Sequence, residues 1–425
     1  VTTPSASIAR KWTKIVGYSA CCTFLSAAVI SVWSLLAAGT SQLSEEQIQA
    51  EAKRIHDEAW VADTHLDSPL RGVRDPEWNA DERHDDGCWD IPRMIEGGAD
   101  AVFLAVYTGQ GPLTDEAYAD INSRAIQMFD WIHKMADASP HAEYAATAAD
   151  AERLHREGKR AIFIGVENGY PLGTDIKNVE DFYNRGMRYM TLSHSSDNQI
   201  CASSTQRGER EDFGLTDFGR RVVAEMNRLG VMIDCSHVSD QTFFDVVEIS
   251  TAPILATHSG CDGVHEQDRN FSDEMLLKLK ENGGTIQLIP LDSFIRAIPP
   301  NPDRDRALEE LAREFPDRRN LTEEQRRAYT EKRNEIRRLY PTPPATIDDF
   351  IKHIDYAVNL IGIDHVGFGS DFDGGGGVQD LEDISKLPNL TVELLRRGYS
   401  EQDLKKFWGG NLLRVMKAVE AAAEK

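Results

Sequence analysis

Basic residues are scarce relative to acids: 47 Lys and Arg stand against 70 Asp and Glu in 425 residues, a formal charge of −23. A surface this acidic repels phosphate backbones, which argues against a nucleic-acid partner. Cysteine is also scarce, with six in the chain and no CxxC pair. That count excludes a disulfide scaffold, and the spacing excludes a zinc finger or a thioredoxin-like redox site. No glycine-rich turn follows the first strand-like segment, where ADTHLDSP stands instead, so a dinucleotide-binding doubly wound sheet lacks its fingerprint. The later run Gly374–Gly377 has no Lys-Ser or Lys-Thr after it and reads as a turn rather than a phosphate cradle. What remains is an ordinary globular mix, 41% hydrophobic and 28% charged.

The N-terminus is the exception to that mix. Arg10, Lys11 and Lys14 precede a stretch without charge from Ile15 to Ala38, and small residues close it at Ala37, Ala38 and Gly39. A basic start, an apolar run and a small-residue end describe a secretory signal. The run has 24 residues, enough to span a bilayer, so a retained N-terminal membrane anchor is the alternative. Either way, residues 1–44 are expected to export the rest of the chain, to the periplasm or to the outer side of a membrane. An exported chain can pair its cysteines, and Cys88, Cys201, Cys235 and Cys261 lie beyond the segment.

From Ala59 onward one pattern repeats: a short apolar, β-branched run, a polar loop, then an amphipathic helix. Strands are predicted at Trp60–Asp63, Ala101–Tyr107, Ala161–Val166, Tyr189–Leu192, Val231–Cys235, Ile254–Ala256, Thr285–Ile289 and Val366–Gly369. Helices are predicted at Asp115–Ala138, Asp217–Leu229, Asp240–Ile249, Ser272–Asn282 and Ile347–Ile361. Such alternation implies a parallel sheet covered by helices, and eight units imply an α/β fold of the closed (β/α)8 TIM barrel type. A charged stretch at about 297–346 is an insertion between the seventh and eighth strands. Its opposite charges at i,i+4 spacing and its flanking prolines read as solvated surface helices, with a lid or a subunit contact as the alternative.

In such a barrel the chemistry sits at the carboxyl ends of the strands. Those ends carry His65-Leu66-Asp67 after strand one, Glu167 in GVENG after strand three and His194 in TLSHSS after strand four. His237 in DCSHVS follows strand five, His258 in ATHSG follows strand six, and Asp371 in GFGSDFDGG follows strand eight. Imidazoles and carboxylates are ligands for zinc and similar divalent ions. His65 and Asp67 are two apart and can face one ion. His237 and His258, on neighbouring strands, can face a second, and Glu167 has two oxygens with which to bridge the pair. Two ions roughly 3.5–4 Å apart share a water, lower its pKa and stabilise a hydrolytic transition state. A single strand-end histidine is more often structural, as expected for His365 on the opposite rim, whereas a convergent set of this size is hard to assign to chance. Asp234 reads as a neighbour of the site or as a structural polar group.

The ordered motifs DTHLDSP, GVENG, LSHSS, DCSHVS, ATHSG, DRNFSD and GSDFDG resemble those of the membrane (renal-type) dipeptidase family of zinc peptidases, over about residues 56–415. The resemblance implies that residues 45–425 form a single metallo-dependent hydrolase barrel domain with two Zn2+ ions at the strand ends. It also implies a zinc-dependent hydrolysis of free dipeptides, with a D-residue tolerated at the C-terminal position, and a homodimer. By matching motifs, His65 and Asp67 bind one zinc, His237 and His258 the other, and Glu167 bridges them. His194 contacts substrate and polarises the scissile carbonyl, Arg269 clamps the substrate's free carboxylate, and Asp371 carries the proton. Read without the resemblance, Arg269 could be a surface salt bridge. One departure concerns specificity: IQLIPLDSF after strand seven offers no obvious counterpart to the aromatic that contacts substrate in mammalian members.

Two other readings are open. Another binuclear barrel hydrolase, acting on phosphoesters or cyclic amides, would use HxH after strand one and a modified lysine after strand four, and neither is present. A non-catalytic exported scaffold would have lost a ligand or Asp371, and none is missing.

Overall fold

The computed structural model describes residues 44–206, 211–316 and 321–424. The expected export segment therefore lies, but for Ser44, outside the described residues. Ile48–Lys425 form one compact unit, which holds the fold. Its eight main strands are β1 (Ala62–Leu66), β2 (Ala101–Tyr107), β3 (Arg160–Glu167), β4 (Met187–Thr191), β5 (Met232–Asp234), β6 (Leu255–Cys261), β7 (Thr285–Leu288) and β8 (Val366–Phe368). Each pairs in parallel with the next in chain order. The β2–β3 register runs unbroken from Ala101 opposite Ala161 to Tyr107 opposite Glu167. Closure between β8 and β1 is made by an isolated parallel bridge, Leu66 with Phe372. There the Asp67 N–H donates to the Phe372 carbonyl at 2.9 Å and the Asp371 N–H to the His65 carbonyl at 3.1 Å. The molecule is a nearly closed (β/α)8 TIM barrel.

Parallel strands buried on both faces read as continuous apolar runs, and β2 (AVFLAVY) is buried along all but its last residue. Period-2 alternation then sorts its side chains. Val102, Leu104 and Val106 join the layer between strands and helices. Ala101 and Phe103 join the barrel interior with Phe163, Tyr189, Met232 and Leu255. Phe103 stacks on Phe163 with centroids 4.7 Å apart and tilts against Tyr189 at 5.5 Å. Burying one such ring contributes about 2–3 kcal/mol. Gly165 faces the Tyr189 ring so closely that a Cβ would collide with it. The smallest residue on β3 thus makes room for a tyrosine that reaches the site.

The helices start where their caps dictate. Thr114, Thr216, Ser239, Ser272 and Thr346 each accept a backbone N–H three residues on, worth about 1 kcal/mol apiece. Gly230 and Gly283, both in the left-handed region, end two of them. The insertion forms helices Pro302–Glu314 and Glu323–Leu339. Arg304 ties the first to the insertion's two ends, donating to Thr342 Oγ1 at 2.9 Å and to the Pro299 carbonyl at 3.0 Å. Leu311 on that helix and Phe315 at its end are buried. Cys88, Cys201, Cys235 and Cys261 are free thiols, so no pairing exists among them. No helix among the described residues is long and apolar enough to cross a membrane.

Candidate active site and metal centre

Two strands run further than their apolar pattern predicts. β1 continues to Leu66 and β6 to Cys261, so His65 and His258 lie within strands rather than after them. Both are completely or almost completely buried. The reason is local: at the carboxyl rim a strand's inward positions face the site, so polar side chains replace apolar ones without ending the strand.

Glu167, the last residue of β3, is the hub. Its Oε2 lies 3.5 Å from His65 Nε2. Its Oε1 lies 3.0 Å from His237 Nε2 and 3.5 Å from the Nε2 atoms of both His258 and His194. Three groups have ligand atoms close enough to hold an ion: His65 with Asp67 and Glu167, Glu167 with His194 and His237, and His65 with His258 and Asp371. All seven residues singled out at the strand ends thus meet in one place. His194 comes as near to Glu167 as His258 does, so its position alone does not separate a ligand from a substrate contact. Its side chain is the most open of the histidines in the cluster, at 20% exposure.

The electrostatics describe a site short of positive charge. Burial raises Asp67 well above the usual carboxylate range, and the charge of Glu167 adds to it. Burial likewise lifts Asp371 to about 7, aided by Glu167 and opposed by His65 and Arg269. Burial works against the Glu167 carboxylate too, but His65, His194, His237 and His258 together hold it well below its ordinary value. Burial keeps His194, His237 and His258 neutral. Burial also works against a charged His65, but Glu167, Asp67 and Asp371 raise it to about 10, so one imidazolium balances the crowded carboxylates where a bound cation would take its place. Among the ligand candidates, three buried atoms find no hydrogen-bond partner: His65 Nε2, Asp67 Oδ1 and His237 Nδ1. His237 and His258 also turn their Nε2 atoms toward each other at 2.9 Å. Orphaned donors in such a set fit divalent cations, and the donor chemistry of histidine nitrogen with carboxylate oxygen fits zinc.

A second layer orients the histidines. Tyr189 Oη lies 2.7 Å from His65 Nδ1, which leaves Nε2 for the site. The Asp234 carboxylate accepts from Thr257 Oγ1 at 2.7 Å, from Ser236 Oγ at 2.7 Å and from Thr191 Oγ1. Because Thr257 spends its one hydroxyl hydrogen on Asp234, it can only accept from His258 Nδ1, 2.8 Å away. His258 therefore carries its proton on Nδ1 and presents a bare Nε2. Asp234 is the neighbour of the site that sequence suggested. Tyr189 was not identified from sequence; the signal for it was the adjacent Gly165 opposite a tyrosine in a barrel interior. Asp371 adopts the left-handed region at φ 56, and its carbonyl receives the N–H groups of Gly374, Gly375 and Gly376. The glycine run is thus the turn that holds Asp371. His365 binds only the Gly284 carbonyl through Nδ1, at 2.8 Å, and is structural.

Arg269 is 4% exposed, which excludes a surface salt bridge. Its Nη2 donates to the His258 carbonyl at 3.2 Å, and its guanidinium lies 5.4 Å from the Phe294 ring centroid. Its Nε and Nη1 are buried without partners. A buried guanidinium with a free edge on the cavity suits a carboxylate fork. The cavity holds about 990 Å³ and is lined by Asp67, Glu167, His194, His237, His258, Arg269 and Asp371 among others.

A nearly closed barrel with a metal-ligand set at its carboxyl rim defines a metal-dependent hydrolase. The chain belongs to the membrane dipeptidase family (peptidase family M19), whose model matches residues 49–425. It is a metallo-dipeptidase. It is 32% identical over 340 residues to dipeptidase tcpJ of Claviceps purpurea (strain 20.1), covering 79% of this chain and 70% of that one. The probable dipeptidase PvdM from Pseudomonas aeruginosa superposes with a TM-score of 0.78 at 27% identity, covering 89% of this chain and 100% of PvdM. A metallo peptidase from Rhodobacter sphaeroides, liganded with a phosphinate mimic of the dipeptide L-Ala-D-Ala, superposes with a TM-score of 0.69 at 25% identity, covering 85% of this chain and 99% of that one.

Proposed function

We propose that this metallo-dipeptidase is binuclear, holds two Zn2+ ions and hydrolyses free dipeptides, including those with a D-residue at the C-terminal position. The observation that carries this reading is the division of Glu167: one oxygen faces His65, the other faces His237 and His258. A carboxylate so placed serves two ions, with His65 and Asp67 on one side and His237 and His258 on the other. Bound ions would supply Lewis acidity and a water of lowered pKa.

The chain's own residues do the rest. Arg269 binds the substrate's terminal carboxylate through its free edge, leaving room for one residue beyond the scissile bond. Ser195 Oγ lies 2.9 Å from His194 Nδ1; with that hydroxyl donating to Nδ1, the neutral imidazole would hold its proton on Nε2 and direct it as a hydrogen bond toward the carbonyl oxygen as charge builds there. Asp371, buried at the rim beside Glu167 and His65, accepts the proton that the attacking water gives up and delivers it to the leaving amine. The mimic of L-Ala-D-Ala bound by the Rhodobacter sphaeroides relative supports tolerance of a D-residue. The basic start and apolar run of residues 10–38 support an exported enzyme, with either a cleaved signal or a retained anchor.

The test is zinc titration of the metal-free chain and of Glu167→Gln. The wild type should take up two ions and turn over dipeptides, whereas the variant should retain fewer and lose turnover. Two ions retained with unchanged turnover would contradict the bridging role.

A further inference from the structure

We infer that the helical insertion after β7 is part of the substrate pocket, and that Tyr329 on it is a specificity-determining residue that favours dipeptides bearing a bulky apolar side chain. The inference rests on the dipeptidase reading and extends it to substrate choice.

The cavity wall is divided. Polar residues line it after β2, β4 and β6, including Gln110, Ser196 and Gln267. Apart from Tyr107 at the end of β2, the apolar lining, Leu70, Leu291, Phe294, Pro316 and Tyr329, comes from the connections after β1 and β7. Those two connections flank β8, so the apolar residues occupy one arc of the rim. Within that arc Phe294 already lies against the Arg269 guanidinium, which commits it to the carboxylate end of the pocket. Tyr107, the last residue of β2, also lines the cavity but lies against His194, with ring centroids 4.8 Å apart, and the lining aromatic that the insertion contributes is Tyr329.

Tyr329 is held rather than loose. It is half-buried, and its ring meets Phe315 edge-on, with centroids 5.6 Å apart and planes at 78°. Phe315 is 7% exposed. Lys332 lies 5.9 Å from the Phe315 centroid and pairs with Glu314 at 2.6 Å, clasping the two insertion helices together beside the ring. An aromatic fixed from behind presents a defined face, which is what selectivity requires. Size agrees: about 990 Å³ lies at the upper end for small-molecule sites, roughly 300–1,000 Å³. A dipeptide of two small residues, anchored by Arg269 and the metal ligands, leaves this wall uncovered; a leucine or phenylalanine side chain covers it. The insertion is therefore more than the solvated excursion that its charge pattern suggests.

The experiment compares kcat/KM of the metal-loaded full chain on Ala-Ala with that on dipeptides carrying Leu or Phe at either position. Tyr329→Ala should lose about tenfold on the preferred bulky substrate, through KM, and change little on Ala-Ala. Tyr329→Phe, which keeps the ring, should preserve the preference. Leu339→Ala, on the same insertion at a position 59% exposed, should match the wild type on both. An equal loss on small and bulky substrates, an unchanged preference in Tyr329→Ala, or the same loss in Leu339→Ala overturns the inference. A metal-loaded wild type that cleaves Ala-Ala with no advantage for bulky substrates also overturns it. One that cleaves no dipeptide at all removes the dipeptidase reading and this inference with it.

Discussion

Acidification should strip stability from this fold through His353, a buried histidine outside the cavity whose ring is committed to one protonation state. Its Nδ1 accepts the Cys261 N–H at 3.0 Å, and its Nε2 donates to the Ile295 carbonyl at 3.0 Å. A second proton would sit on Nδ1 and face the Cys261 N–H, donor against donor. Burial, with the neighbouring charges of His265 and Lys352, pushes the group from its ordinary 6.5 to about 4, against the pull of the Ile295 carbonyl. The unfolded chain takes up this proton as the pH falls below about 6.5, while the fold refuses it until about 4. Stability from His353 is therefore complete above the unfolded value and lost through that window, by up to about 3 kcal/mol at roughly 1.36 kcal/mol per pKa unit. The assay is denaturant unfolding of the wild type and His353→Gln at about pH 7.5 and about pH 4.5, since Gln keeps a donor and an acceptor without titrating there. The substitution should cost about 1–3 kcal/mol at the upper pH, and the gap should narrow by up to about 3 kcal/mol at the lower. Parallel pH profiles for the two proteins would refute the reasoning.

Other outcomes follow from the site. Tyr189→Phe removes the hydroxyl on His65 Nδ1 and should weaken metal binding by about 10–100-fold, read by competition with a chelator; unchanged affinity would remove Tyr189 from the second layer. Asp234→Asn should free Thr257 to present its hydrogen to His258 Nδ1 and shift the imidazole proton to Nε2. The variant should bind metal more weakly while keeping its thermal midpoint to within a few degrees, and wild-type affinity would contradict the tautomer assignment. Arg269→Ala should raise KM for free dipeptides by about 100-fold or more and leave C-terminally amidated ones at their already low rate. Equal handling of free and amidated substrates by the wild type would contradict the clamp.

Helix positions were legible because their signals are local. Thr114, Thr216, Ser239 and Thr346 sit at the caps, and the helices they open, Asp115–Ala138, Asp217–Leu229, Asp240–Ile249 and Ile347–Ile361, run over the residues the pattern predicts. Strand ends were less so, since β1 was expected at Trp60–Asp63 and lies at Ala62–Leu66. Polar residues such as His65 and Asp67 break an apolar pattern even where the backbone continues as strand or its bridge. The metal-ligand candidates could be found because barrel topology assigns every strand end to one rim, so residues far apart in sequence share one site. Tyr189 and the part played by Thr257 could not, because each acts through a partner on another strand; Tyr189 is 124 positions from His65. The same holds for Tyr329. Its helix is charged and solvated by pattern, and the structure packs its ring against Phe315 on the cavity wall.

We propose a two-metal centre that cleaves dipeptides held by their free carboxylate. The most direct measurement is metal content per chain, made on the same preparation as a release assay over free and amidated dipeptides. Two ions per chain and cleavage confined to the free-carboxylate substrates are expected. A folded, zinc-supplied chain that holds one ion or none, yet cleaves free and amidated dipeptides alike, would contradict it.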